Sequence, residues 1–514
     1  MFLLATALGG TSDCSLDARP LVTGTPVVRS IDALATARWI GTGVNEGFGH
    51  EVAVGPDGTV WIASRGSGGL WGTSPPTALA AVRSFAPPTP GDHTDAEATG
   101  RVGLESALYV NLEPLDGPAP SLLVTFNVYQ IRGLSLPLPV DAEIDQVPRF
   151  TLSEPNIGLR PELTRAADID GDGIEDVWVA LERPNEVAVH RGPLTPGESR
   201  NTRLDADFLF VVPGDAGIGL THAPIGDVDG DGADDVLVTV PDSWPGNGSL
   251  YLWAGRTQPA TYPEGSQDAV IEGTCDSFLA GFQRHIGRIG PDPSRSLVGA
   301  VGESTGYGTS RERGAVFLMD LTNVSGTVDI GDVSPAVILG NPFESLLDLA
   351  PLGDFDADGH DDIAVLQYYP TAVHVFRGPL TGLREVTTAD LTLFAPGVDI
   401  SNFATGDVDG DGRMDLLLGT PNNGVGGEVH LVTGARLATE LGFPPPPPPP
   451  EDTDVPDDTD GWDPDPPEDT GVPATEPPED TGIREIAAFQ VRGSGCDQAV
   501  STGPFPLLPF VRRR

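Results

Sequence analysis

Short apolar runs recur along this chain, each entered directly from a knot of acids and glycines. Val177-Trp178-Val179-Ala180, Val236-Leu237-Val238-Thr239, Ile363-Ala364-Val365-Leu366 and Leu416-Leu417-Leu418-Gly419 are the plainest examples. They are too short for helices and rich in β-branched or bulky residues, so they predict buried strands. A second marker follows each run, alternating apolar and polar positions and ending on glycine. It appears as Glu186-Val187-Ala188-Val189-His190-Arg191-Gly192, Ser249-Leu250-Tyr251-Leu252-Trp253-Ala254-Gly255, Ala372-Val373-His374-Val375-Phe376-Arg377-Gly378 and Glu428-Val429-His430-Leu431-Val432-Thr433-Gly434. Turn residues separate the two markers, so each pair predicts adjacent strands.

The spacing is that of an internal repeat. The acidic knots begin at Asp168, Asp227, Asp354 and Asp407, with intervals of 59, 127 and 53 residues. The doubled interval predicts a unit without the acids, and Ile286 to Ala300 keeps the frame with Pro291-Asp292-Pro293 in their place. Asn127 to Gly133 and Gly47 to Ile62 mark two earlier units. The tally is seven, near 46–75, 103–140, 160–198, 217–258, 280–322, 345–383 and 401–438. Such small sheets cannot bury both faces alone, and packing seven around an axis gives a seven-bladed β-propeller, an all-β fold. Residues 20–45, with Val27-Val28 and Trp39-Ile40, are expected to supply the strand that closes the ring against the last blade.

Composition agrees: Gly and Pro together make 116 of the 514 residues, as many turns require. The net charge of −46 is uneven. Sixteen aspartates of the four knots and thirteen acids between Phe443 and Gly482 account for 29 of those charges and leave −17, an ordinary acidic surface. No basic stripe is present for nucleic acid. All 29 basic residues are arginine, which excludes a Walker or Schiff-base lysine. Cys14, Cys275 and Cys496 are too few and too scattered for a zinc site or a disulfide framework.

The knots themselves carry the chemistry. Asp168, Asp170, Asp172 and Asp176 occupy positions one, three, five and nine of a loop; the others are Asp227, Asp229, Asp231, Asp235; Asp354, Asp356, Asp358, Asp362; and Asp407, Asp409, Asp411, Asp415. At position seven Ile174, Ala233, His360 and Arg413 would each offer a backbone carbonyl. Oxygen-only ligands at this density suit calcium better than magnesium, which keeps its waters. About four calcium ions are expected. An EF-hand needs a glutamate at position twelve, where Val179, Val238, Val365 and Leu418 stand, so these are calcium loops between strands.

Gly226-Asp-Val-Asp-Gly-Asp-Gly-Ala-Asp-Asp-Val-Leu-Val238 and Gly406 to Gly419 resemble FG-GAP repeats, closely related to VCBS repeats, of the integrin-α-type seven-bladed propeller. The resemblance covers roughly residues 46–438 and implies calcium at the four loops. Units one, two and five depart from the pattern and inherit no metal. No separate inserted domain interrupts the repeats, a departure from the integrin-like arrangement.

Around the propeller (20–442) lie three further segments. Residues 1–19 read as a signal-like segment without a positive n-region; 443–482 as a disordered acidic Pro-rich linker; and 483–514 as a C-terminal tail. That tail, with Cys496, Pro504 to Val511 and Arg512-Arg513-Arg514, resembles a degenerate tripartite sorting tail of myxobacterial type. No stretch approaches the ~20 apolar residues of a transmembrane helix, so envelope tethering would run through the termini.

Of the eight histidines, His190, His374 and His430 sit on the strand marker, His222 and His285 precede their blades, and His50 lacks the partner of a zinc-protease motif. No catalytic constellation can be named. The expected function is a secreted or cell-surface, calcium-binding adhesion module of a bacterium, for an extracellular protein or glycan. The alternatives are a propeller hydrolase or lyase acting on an extracellular polymer, and a purely structural envelope protein.

Overall fold

The computed structural model describes residues 21–443 except 44–45, 66–79, 105–109, 116–119, 127–129, 154–160, 182–184, 196, 213–221, 241–247, 274–282, 293, 303–313, 342–344, 369 and 422–425. The signal-like segment, the acidic linker beyond Phe443, the tail and all three cysteines lie outside the described residues.

The strands form seven five-stranded sheets. Their innermost strands are Phe48–Val54, Val110–Leu115, Pro161–Ala167, His222–Pro224, Gln283–Gly287, Ser345–Gly353 and Asn402–Gly406, numbered here as blades one to seven. Each innermost strand touches its two neighbours, and the last touches the first, so the sheets close into a ring. Within a blade four strands run antiparallel. The fifth, outermost strand is parallel and arrives from the following blade, as Glu198–Asn201 does beside Pro148–Ser153.

Seven apolar clusters account for the ring. Each spans two adjacent blades, as Ala167, Trp178, Val187 and Phe210 of blade three meet Val236, Val238 and Trp253 of blade four. The seventh interface joins Val52, Val54 and Ile62 of blade one to Ala404, Leu417 and Val429 of blade seven. Both faces of the inner strands are therefore apolar, which is why the runs read as continuous in sequence.

The closing strand is where it was expected. Ala37–Ile40 pairs antiparallel with Glu428–Val432, placing Trp39 opposite Val429. Val27–Ser30 pairs in parallel with Leu391–Phe394 on the outside of blade six.

The seven units are present, but their limits need correction. The unit placed at 103–140 overlaps the fourth strand of blade one, Gly100–Leu104, and blade two begins at Val110. The other units stop short of their fourth strands, such as Phe208–Val211, Ala269–Glu272, Ala336–Leu339 and Leu391–Phe394. Those strands have four residues each and carry no glycine or acid knot to mark them. His190, His374 and His430 are buried in their strands, whereas His222 and His285 lie on the innermost strands of blades four and five.

Candidate metal centres

Each acidic loop joins the first strand of its blade to the second, in blades three, four, six and seven. The same connection in each blade puts all four loops on one face of the ring. Glycine at position six is required by the backbone: Gly173, Gly232, Gly359 and Gly412 have φ between +81° and +93°, a region closed to most side chains.

The four loops repeat one hydrogen-bond pattern. The position-one carboxylate accepts the amide of position six through one oxygen, with Gly173 2.7 Å from Asp168 and Gly232, Gly359 and Gly412 each 2.9 Å from Asp227, Asp354 and Asp407. Position five turns onto its own backbone: Asp172, Asp231, Asp358 and Asp411 accept the amides of Ile174, Ala233, His360 and Arg413, each at 2.9 Å. Position nine is a buried brace. Asp176, Asp235, Asp362 and Asp415 accept the position-two amide through one oxygen. The other oxygen takes the amide of the glycine two residues beyond the third strand: Gly192, Gly255, Gly378 or Gly434.

This geometry gathers three carboxylates per loop. Asp168, Asp170 and Asp176 each bring an oxygen within 4.8 Å of the others, as do Asp227, Asp229 and Asp235; Asp354, Asp356 and Asp362; and Asp407, Asp409 and Asp415. Position five lies outside these triads, and position seven contributes its amide to the loop. The four clusters could hold metal ions, and a dense, all-oxygen, anionic donor set fits a hard cation.

Burial raises the position-nine acids far above the usual carboxylate range, despite two amide bonds each, three at Asp415, that pull the other way. Asp176, Asp235 and Asp415 are pushed up to about 7 and Asp362 to about 8. Burial, first, and neighbouring carboxylates also raise Asp170 and Asp409. Charge packed this densely favours either protons or a cation.

Two features escaped the sequence reading. The position-eight acid bonds to the preceding blade: Asp234 accepts the amide of Asp168 at 2.9 Å, and Asp361 that of Arg288 at 2.6 Å. The doublets Asp234-Asp235 and Asp361-Asp362 were its visible signal. Arg191 and Arg377 reach over two of the loops. Arg191 pairs with Asp170 and, at 3.4 Å, with Asp172; Arg377 pairs with Asp356 and, at 3.5 Å, with Asp358. Their place in the recurring Arg-Gly ending was visible, but nothing in it pointed at the acids.

Residues 354–418, which span the third loop and run through the fourth, match the FG-GAP-like repeat family. Among solved structures, that of BBS1N in complex with ARL6DN, soaked with mercury, is similar at 9% identity and a TM-score of 0.40; the match covers 75% of this chain and 91% of that one. Among the described residues no helix is long and apolar enough to cross a membrane.

Proposed function

We propose that this chain, an FG-GAP repeat β-propeller, is a secreted or surface-displayed bacterial binding module whose ring is stabilised by calcium. The observation that carries the reading is the fourfold recurrence of one carboxylate cluster on one face of the ring. A single acidic turn is ordinary surface. Four with the same bonds to backbone amides, each anchored to a buried third strand, form a set that one cation would fill in the same way.

In each loop the carboxylates at positions one, three, five and nine, with the position-seven carbonyl, would hold the ion. The ion would supply neutralising charge, and the residues would supply a preformed shell. Extracellular calcium near the millimolar range fills even weak sites. With a Kd of about 0.1 mM, each occupied site adds roughly 1.4 kcal/mol by mass action. The propeller then presents variable loops to an extracellular protein or glycan, and the acidic Pro-rich segment after Phe443 would set it off from the envelope.

The test is thermal unfolding of the full chain in 1 mM calcium and in excess chelator, alongside a count of bound metal. About four ions and a melting point several degrees higher in calcium are expected. No bound metal and no shift would reduce the aspartates to turn-formers and remove the calcium reading.

A further inference from the structure

The four loops share the backbone bonds described above and differ at a side chain that lies beside their acids. Gly192, Gly255, Gly378 and Gly434 hold the same place, each donating to its position-nine aspartate. The residue just before them is Arg191, Ala254, Arg377 and Thr433. The two arginines lie across the position-three and position-five carboxylates of their own loops. Among the described residues, no arginine pairs with the acids of the loops at 227 and 407. Ala254 instead faces a cavity of about 290 Å³ bordered by Asp229, Asp231 and Asp235.

We infer that the four loops are two classes of cation site, with Arg191 and Arg377 acting as built-in competitors that weaken the loops at 168 and 354 relative to those at 227 and 407. This rests on the calcium reading above. The guanidinium carries fixed positive charge at any working pH and grips two of the would-be ligands. In the metal-free protein it offsets repulsion among four carboxylates. A divalent ion must displace it or share acids with it. A unit charge held about 5 Å from a divalent ion lowers its affinity by roughly tenfold even at the dielectric constant of water. Arg377 is also stacked 4.1 Å from the ring centroid of Phe443, at the root of the acidic segment. It has less freedom to swing away than Arg191, so the loop at 354 is the weakest of the four.

The arrangement gives a stepwise response. The two open loops fill at low calcium. The two guarded loops stay stabilised by arginine when calcium is scarce and load only at higher concentration.

Calcium titration of the full chain by calorimetry tests this, with melting points in chelator as a second readout. The wild type should show two stronger and two weaker sites. Arg191→Ala with Arg377→Ala should keep four sites and tighten the weaker pair about tenfold, Arg377→Ala giving the larger gain. The double variant should melt below wild type in chelator and match it in saturating calcium. Ala254→Arg does not depend on the double variant folding, and should move one strong site into the weak class. Four wild-type sites of equal affinity, unchanged in both variants, would overturn the inference and leave the calcium reading intact. Weaker binding in the double variant would also overturn it, making the arginines outer supports of loaded sites. No calcium binding by any of these proteins would remove the calcium reading and this inference together.

Discussion

Within one loop the four aspartates do different work, and substitution should separate them. Asp415 is buried and pairs both oxygens, with Val408 and Gly434, each at 2.9 Å. Asp415→Ala would strand two buried amides, a cost of about 2–4 kcal/mol whether or not calcium is present. Asp411 is exposed and accepts one amide within the turn, from Arg413. Asp411→Ala should change stability in chelator by less than about 1 kcal/mol, and should act chiefly by lowering the calcium-induced gain. Denaturant unfolding of both variants, with and without calcium, separates a folding brace from a ligand. Equal losses for the two in chelator would show that position five is structural as well.

The buried acids also set a pH dependence. Position-nine carboxylates near 7 to 8 in the folded chain lie above their unfolded value of about 4, so folding favours their protonated form. Metal-free protein is therefore most stable at the acid side of that window and loses stability as pH rises through the folded values. His190 and His374, lowered to about 4 by burial, act oppositely, but only once pH falls below about 6.5. Between pH 8 and 6.5 the carboxylates dominate. In chelator the melting point should rise on acidification across this interval. In limiting calcium it should rise less or fall, because protons and cation compete for the same oxygens. A chelated protein whose melting point fell over this interval would show that these acids are ionised in the fold.

At the scale of strands, what was legible followed from burial and turn chemistry. The second and third strands are mostly buried, wholly so in Asp176–Leu181 and Glu186–His190, and announced themselves as apolar runs or alternating markers, and the loops did so by aspartate spacing. The missing acids of blade five were foreseen from the doubled interval, and Asp292 there makes only a local turn with Ser294 and Arg295. The fourth strands were not seen because most bury only alternate residues, as in Leu391–Phe394, Phe208–Val211 and Ala269–Glu272, and four residues hold too little pattern. The fifth strands are two to four residues long, largely polar and paired in parallel across a blade boundary. No local signal encodes such a partner. At the site, the carboxylate triads were readable because ligand and spacing sit in one segment. Arg191 and Arg377 were not, because their meeting with the acids depends on the third strand folding back beside the second. The position-eight link of Asp234 to Asp168 is likewise a contact between blades and exists only in the assembled ring.

For the whole molecule the critical join is at the N-terminal segment. Six interfaces follow chain order, whereas the seventh depends on residues 37–40 returning to blade seven across nearly the full length of the propeller. Trp39 is the anchor: it is 1% exposed, packs near Phe85 at 6.1 Å, and sits opposite Val429. Arg38 adds an exposed pair to Asp92 at 2.8 Å and a half-buried one to Glu428 at 3.4 Å, solvent-screened contacts that contribute little. Trp39→Ala should thus cost about 3–5 kcal/mol, while Arg38→Ala should cost under about 1 kcal/mol. Trp39 shares its apolar cluster with Val408 of the loop at 407, whereas the other three acidic loops lie in blades three, four and six, so Trp39→Ala should still bind calcium at those three. Its loss should open the ring near Glu428–Val432 and Gly91–Thr94, leaving unpaired edges that invite association. Melting in saturating calcium, followed by light scattering, reads both effects. A Trp39→Ala protein with unchanged melting would mean the ring is held by its six sequential interfaces. A variant that melts early and associates while still binding calcium would place the closing strand and the acidic loops as two separate restraints on one circle.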